Sequence, residues 1–171
     1  AVNMLINNVG LGSTMLFEEG NLSFYQKQVK LNVMATTLLT HLFIETLRRN
    51  GPSNILCVGS LCSFFYLMKK QVYGATKSYV YFFSKSLRRE LRSENINVSV
   101  ICPGPMNTNA TVTAMNEANN WVTRMSTMEP EEVAPIAIDG LLKQKEVIIP
   151  GIINRMLLIL DKFMPAIIKT M

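Results

Sequence analysis

Histidine is nearly absent from this chain. His41 is the only one, and it sits in the mostly apolar run TTLLTHLFIETL. Serine–histidine and cysteine–histidine catalysis therefore have little to stand on, and His41 reads as an ordinary helix residue. Cysteine is scarce as well. Cys57, Cys62 and Cys102 make an odd count, two of them lie in apolar runs, and no Cys-x-x-Cys or Cys/His ligand spacing occurs. Neither a disulfide framework nor a metal site is expected, and the thiols read as small core residues in a reducing compartment, the cytoplasm. The chain does not open on a charged-then-apolar secretory leader. No apolar run reaches the roughly 20 residues that cross a bilayer. A surplus of one sign of charge is also missing. The formal charge is +5, and the basic runs ETLRRN and SLRRELRSE carry interleaved acids, as a solvated helix face does. Nucleic acid is not an expected partner, since no basic-and-aromatic platform accompanies these runs.

What is present is an alternation. AVNMLINN is short and apolar and stops at an Asn-Asn-Val-Gly turn. A long helical period follows from Ser23 to Asn50, ending at Gly51-Pro52. NILCVGS is a second buried strand, and a helix then runs from about Tyr73 to about Asn95. INVSVICPGP is a third strand, ended by Pro-Gly-Pro. A polar stretch, MNTNATVTAMNEANNWVTRMS, leads to a helix with Thr127 or Met128 near its cap and Pro130 in its first turn, and EVIIPG is a fourth strand. Apolar strands alternating with amphipathic helices indicate an α/β fold, a Rossmann-like doubly wound parallel sheet in three α/β/α layers. Such sheets bind ligands at the carboxyl ends of their strands. Asn7, Asn8 and Gly10 follow the first strand, Ser60 the second, and Pro103, Gly104 and Thr108 the third.

One pair stands out against this frame. Tyr73 and Lys77 lie four residues apart on one helix and so share a face. An ammonium beside a phenol favours the phenolate, so Lys77 is expected to lower the pKa of Tyr73 and ready it for proton transfer near neutral pH. An isolated Tyr-x-x-x-Lys is more often a surface pair. Here it follows a strand-end serine by thirteen positions.

With NNVG at Asn7–Gly10, LNV at Leu31–Val33, Ser60, the YGATK segment and PGPMNT at Pro103–Thr108, the sequence resembles the short-chain dehydrogenase/reductase family over essentially its whole length. The resemblance implies that Tyr73 is the general acid/base and that Lys77 lowers its pKa and binds the nicotinamide ribose. It implies that Ser60 hydrogen-bonds the substrate oxygen and that Asn32 holds a water in the proton relay. Cofactor contacts would come from Asn8, Gly10, Tyr73, Lys77, Pro103, Gly104, Met106 and Thr108, with NADP ahead of NAD as the cofactor. Val9 replaces the family's commoner Ala, and Gly59-Ser60 stands for its Ser-Ser.

The family's opening strand and Gly-rich pyrophosphate turn have no match. Gly10 and Gly12 follow the family's fourth strand and are not that turn. The chain is thus expected to be the C-terminal portion of a longer enzyme, a partial single domain over 1–171, inactive by itself, with the Val2–Asn7 strand left as a bare apolar edge. A non-catalytic scaffold that keeps the fold without cofactor is the alternative reading.

The resemblance places a substrate lid at 109–128, with Met115, Trp121, Val122 and Met125 as apolar residues. Phe64 and Phe65, with Tyr66, Leu67 and Met68, form a second wall. Phe64, Phe65, Trp121 and Met125 are the substrate candidates, and they suit a hydrophobic alcohol or ketone such as a lipid, acyl or steroid-like compound. Family members assemble as homodimers or homotetramers through helices matching Leu22–Arg49 and Val72–Ser93. The apolar extension 152–171, broken by Asp161, Lys162 and Pro165, reads first as a helix packed on its own domain or a partner subunit. Association with a membrane surface ranks below that.

Overall fold

A computed structural model of the chain describes residues 1–163. Among them, strands β1 (Met4–Asn7), β2 (Ser53–Val58), β3 (Ile96–Ile101) and β4 (Val147–Ile148) form one parallel sheet in the order β1-β2-β3-β4. The helices are α1 (Leu22–Val29), α2 (Thr36–Arg49), α3 (Gln71–Glu90), α4 (Ala110–Glu117), α5 (Trp121–Ser126), α6 (Pro130–Leu142) and α7 (Ile152–Phe163).

The period of two along β3 explains the layering. Ile96, Val98, Val100 and Cys102 point to one face, where they join Ile55 and Cys57 of β2, Leu47 of α2 and Val80 of α3 in one buried cluster. Ile101 points to the other face and packs with Leu56, Ile148 and the Val133, Ala137 and Leu141 stripe of α6. Both sheet faces are covered, which is why the strands read as continuous apolar runs. Cys57 and Cys102 are fully buried in the first cluster, as their apolar surroundings suggest, and all three cysteines are free thiols. His41 lies exposed on α2.

The edge at β1 is less protected. β1 pairs with β2 alone, and Ile6 is 44% exposed. Leu5 is packed on the α2/α3 side and Met4 against the α6 cluster, while Ile6 joins neither cluster among the described residues.

Three boundaries differ from the sequence reading. The long helix at 23–50 is interrupted by a π-helical turn over Lys30–Ala35, which no break in hydrophobic period announces. The polar stretch after Pro105 contains α4 and α5, each opened by an asparagine side chain (Asn109 and Asn120) that accepts a backbone N–H. Glu129, rather than Thr127 or Met128, caps α6, paired reciprocally with Glu132. The apolar extension forms α7 as far as Phe163, and the remainder, 164–171, lies outside the described residues. No described helix is long and apolar enough to cross a membrane.

Candidate active site

Parallel pairing sets the ends of three strands side by side. Asn7 is level with Cys57, Cys57 with Val100, and Val58 with Ile101, so the segments after β1, β2 and β3 leave the same edge of the sheet. α3 enters beside them and brings Tyr73 and Lys77.

Asn32 lies in the π turn and faces inward, one turn after Gln28. Asn32 is 1% exposed, and its amide treats residue 11 as a neighbouring strand would. Oδ1 accepts the Leu11 N–H at 2.8 Å, and Nδ2 donates to the Leu11 carbonyl at 3.0 Å. Nδ2 also donates to Thr76 Oγ1 at 2.8 Å, and Thr76 in turn donates to the Tyr73 carbonyl at 2.8 Å. The clamp therefore runs from the loop after β1 into the turn of α3 that bears the tyrosine. It uses both amide hydrogens, so the side chain has no donor left for a relay water.

Lys77 is buried, and its Nζ donates to the carbonyl of Val58, the last residue of β2, at 2.7 Å. The same Nζ lies 5.8 Å from the centre of the Tyr73 ring. A glycine eases this packing, and a second lies beside it where a side chain would make only ordinary contact. A Cβ on Gly10 would come 3.2 Å from Lys77 Nζ and 3.3 Å from Asn32 Oδ1, and one on Gly12 would meet the Tyr73 ring at 3.8 Å. Gly10 is thus needed for close approach to the ammonium. Ser60 closes the corner from β2. It is buried and extended, and its Oγ accepts the Cys62 N–H at 3.1 Å, which leaves its own hydrogen to donate.

The electrostatics correct one expectation. Tyr73 is not lowered: burial pushes it up to about 12, and hydrogen bonding from Ser60 offsets only part of the rise. The residue is half-buried overall, and burial is the largest cause of its shift. Lys77 goes the other way. Burial brings it down to about 8, against the pull of the nearby sulfurs. The ammonium is still charged at neutral pH, but it is not among the causes that move the phenol, of which burial is the largest. Burial also raises Cys57, and pushes Cys102 up to about 12, so both remain thiols.

The other sequence-predicted positions fall as follows. Pro103 is buried and its carbonyl takes the Leu61 N–H at 2.9 Å, joining the β3 and β2 segments. Met106 bridges to Met128, while Thr108 and Asn8 are exposed. Trp121 and Met125 are exposed on α5. Phe64 turns toward the core, edge-on to Tyr81 at 4.7 Å, and Phe65 is half-buried. Two functional neighbours were missed by the sequence reading. Thr76 lies between Tyr73 and Lys77. Gln28 is fully buried one turn before Asn32 and donates to the Leu11 carbonyl at 3.0 Å and to Ser13 Oγ at 3.2 Å. Its i−4 spacing from Asn32 is the signal that could have found it.

Comparison with known proteins adds an independent line. Residues 1–119 match the family model for short chain dehydrogenase. A 3alpha-hydroxysteroid dehydrogenase of Mediterraneibacter gnavus is 33% identical over 118 residues, which is 69% of this chain and 47% of that protein. The 3-oxoacyl-acyl-carrier-protein reductase FabG of Aquifex aeolicus is 26% identical over 141 residues, 80% of this chain and 57% of its own length. Among solved structures, the bulky-bulky ketone specific alcohol dehydrogenase from Comamonas testosteroni matches at 27% identity with a TM-score of 0.75, covering 94% of this chain and 60% of its own. A short-chain dehydrogenase from Sphingobium yanoikuyae in complex with NADPH matches at 27% identity and TM-score 0.75, over 88% and 57% of the two chains. The chain spans about half the length of the curated relatives it matches.

Proposed function

Since the chain belongs to the short-chain dehydrogenase/reductase family, we propose that it carries the catalytic and substrate-side part of an NAD(P)-dependent oxidoreductase. The reaction interconverts a hydroxyl and a ketone on a hydrophobic small molecule. The observation that carries this reading is the meeting of Tyr73, Lys77, Ser60 and the Asn32 clamp at the carboxyl ends of adjacent parallel strands.

The residues fit the ribose and nicotinamide end of such a cofactor. An ammonium has three donors, and Lys77 gives one to Val58, so two remain for ribose hydroxyls, with Gly10 lending no side chain to block them. Pro103, Gly104, Met106 and Thr108 are the positions for the carboxamide side, and Asn8 for the adenosine side. The cofactor, when bound, supplies or accepts the hydride. Tyr73 moves the proton at its phenolic oxygen. With its pKa pushed up to about 12 the phenol is protonated at neutral pH, and so is set to donate to a substrate oxygen in the reducing direction. Ser60 Oγ–H donates to the same oxygen.

The substrate class rests on the apolar residues of 109–128, which we take as the lid. Met115, Trp121 and Met125 are all exposed there. The names of the relatives, a steroid dehydrogenase, a ketoacyl reductase and a bulky-ketone alcohol dehydrogenase, point the same way. A lipid, acyl or steroid-like ketone suits this lining. Assembly as a homodimer or homotetramer is supported by Leu38, Leu39 and Leu42 of α2 and Tyr79 and Phe82 of α3, all exposed, on helices joined by Thr37 Oγ1 and Tyr79 OH at 2.8 Å.

The test uses the full-length protein with NADPH or NADH and a series of bulky ketones. Turnover in the wild type, its loss in Tyr73→Phe, and largely retained cofactor binding in that variant are expected. Undiminished turnover in Tyr73→Phe would remove the tyrosine from its role. A wild type that binds neither cofactor would favour a scaffold.

A further inference from the structure

Helices α4 and α5 are attached to the rest of the molecule by very little. α4 has no buried residue, and α5 has one, Ser126. The carbonyl of Ser126 is held from outside the lid, by Asn154 in the first turn of α7. Asn154 is 1% exposed, and its Nδ2 donates to the Ser126 carbonyl at 3.2 Å and to the Pro150 carbonyl at 2.9 Å. Its Oδ1 is buried without a hydrogen-bond partner and is lodged against Gly104. A Cβ on Gly104 would lie 2.5 Å from that oxygen and 2.8 Å from both Cγ and Nδ2. Gly151, at φ +82°, turns the chain so that the same amide fits beneath it, with Met128 Sδ alongside. One side chain thus touches the end of the lid, the turn after β4 and the Pro-Gly-Pro turn after β3.

We propose that Asn154 is a positioning residue that sets the lid against the Gly104 turn, so that the C-terminal helix controls closure over the substrate. This rests on the lid and turn roles given under the proposed function. The arrangement is specific in two ways. A side-chain amide can give two hydrogens to two carbonyls from this depth without burying a charge. The oxygen of that amide is packed against Gly104, where a Cβ would lie 2.5 Å from it, so the group fits only beside a glycine.

The experiment uses the full-length protein and the variants Asn154→Ala, Asn154→Asp, Gly104→Ala and the double Gly104→Ala/Asn154→Ala. Hydrogen exchange across 110–126 is read beside KM, kcat and cofactor dissociation constant. Asn154→Ala should speed exchange in 110–126 roughly tenfold, the scale of one buried hydrogen bond, with β2 and β3 unaffected. KM for the ketone should rise by a similar factor while kcat and cofactor affinity change less than about threefold. Asn154→Asp, which keeps the shape and loses the donors, should behave like the alanine variant. In hydrogen exchange across 110–126, the readout that does not involve the cofactor, Gly104→Ala should mimic both, because its methyl evicts the amide, and it should add little once Asn154 is already alanine. Unchanged exchange in 110–126, or exchange raised equally throughout the sheet, overturns the proposal, as does a wild-type-like Asn154→Asp or an additive double variant. If Asn154→Ala does not fold, Gly104→Ala carries the same comparison. If the protein turns over no carbonyl, the proposed function fails while the exchange pattern still decides the role of Asn154.

Discussion

The corner at Tyr73 and the segment 109–128, which we propose are two parts of one site, are held in opposite ways. Asn32, Lys77 and Ser60 are buried, and the clamp through Leu11 and Thr76 fixes residues from three segments with bonds of 2.8–3.0 Å. Segment 109–128 exposes its largest side chain, Trp121, to 73%, and is tied down through Ser126, through Asn116, which reaches the Met106 carbonyl at 3.2 Å, and through Met128, whose N–H donates to the Pro105 carbonyl at 3.1 Å. Geometry for proton transfer must be kept to fractions of an ångström, whereas a substrate wall has to open. The chain spends its buried polar bonds accordingly.

That contrast can be broken most severely at Tyr73. Tyr73→Phe should lower turnover about a thousandfold or more, within the range of a lost general acid, with melting temperature nearly unchanged, as steady-state rates and calorimetry would reveal. Next comes Asn32→Ala. It strands the Leu11 N–H and removes the donor to the Thr76 oxygen, while Gln28 still serves the Leu11 carbonyl, and should cost about 1–3 kcal/mol in denaturant unfolding. An unfolding free energy equal to wild type would show the clamp to be dispensable.

Lys77→Met should move stability the other way. The folded-state pKa of Lys77 is about 8 against 10.5 unfolded, so the sign is the reverse of a paired lysine. Below about pH 8 both states carry the charge, and the folded state bears its full desolvation cost. Between 8 and 10.5 only the unfolded state holds the proton, so unfolding free energy rises with pH across that window. Replacing the ammonium should therefore stabilise the cofactor-free protein by about 1–3 kcal/mol at pH 7 and flatten that rise, while weakening cofactor binding. A Lys77→Met protein less stable than wild type at pH 7 would contradict this. The smallest effect belongs to the lid. Trp121→Ala should change stability by less than about 0.5 kcal/mol, as exposed positions do, yet raise KM for a bulky ketone. An unchanged KM would take Trp121 out of the substrate wall.

The sheet was legible because β2 and β3 are continuous apolar runs between helical periods, and the corner was legible because Ser60, Tyr73 and Lys77 have fixed spacing. Three things were not. The π turn at 30–35 leaves no mark on hydrophobic period, so Asn32 could be named without the irregular turn in which it lies. The direction of the Tyr73 shift depends on how deeply the residue is buried, which i, i+4 spacing does not encode. Asn154 and Gly104 are fifty positions apart, and a contact made by the absence of a side chain has no local signature.

The π turn has one more consequence. In a regular helix each residue advances the side chains by about 100°, so inserting or deleting one residue between Lys30 and Ala35 would rotate everything beyond it relative to everything before. α1, with Gln28, faces the loop after β1, while α2 sends Leu47, Phe43 and Ile44 into the core. The turn works as a phase shifter between these two faces, one serving the site and one serving the core. The helix can be regular or it can satisfy both, and in this chain regularity is what gave way.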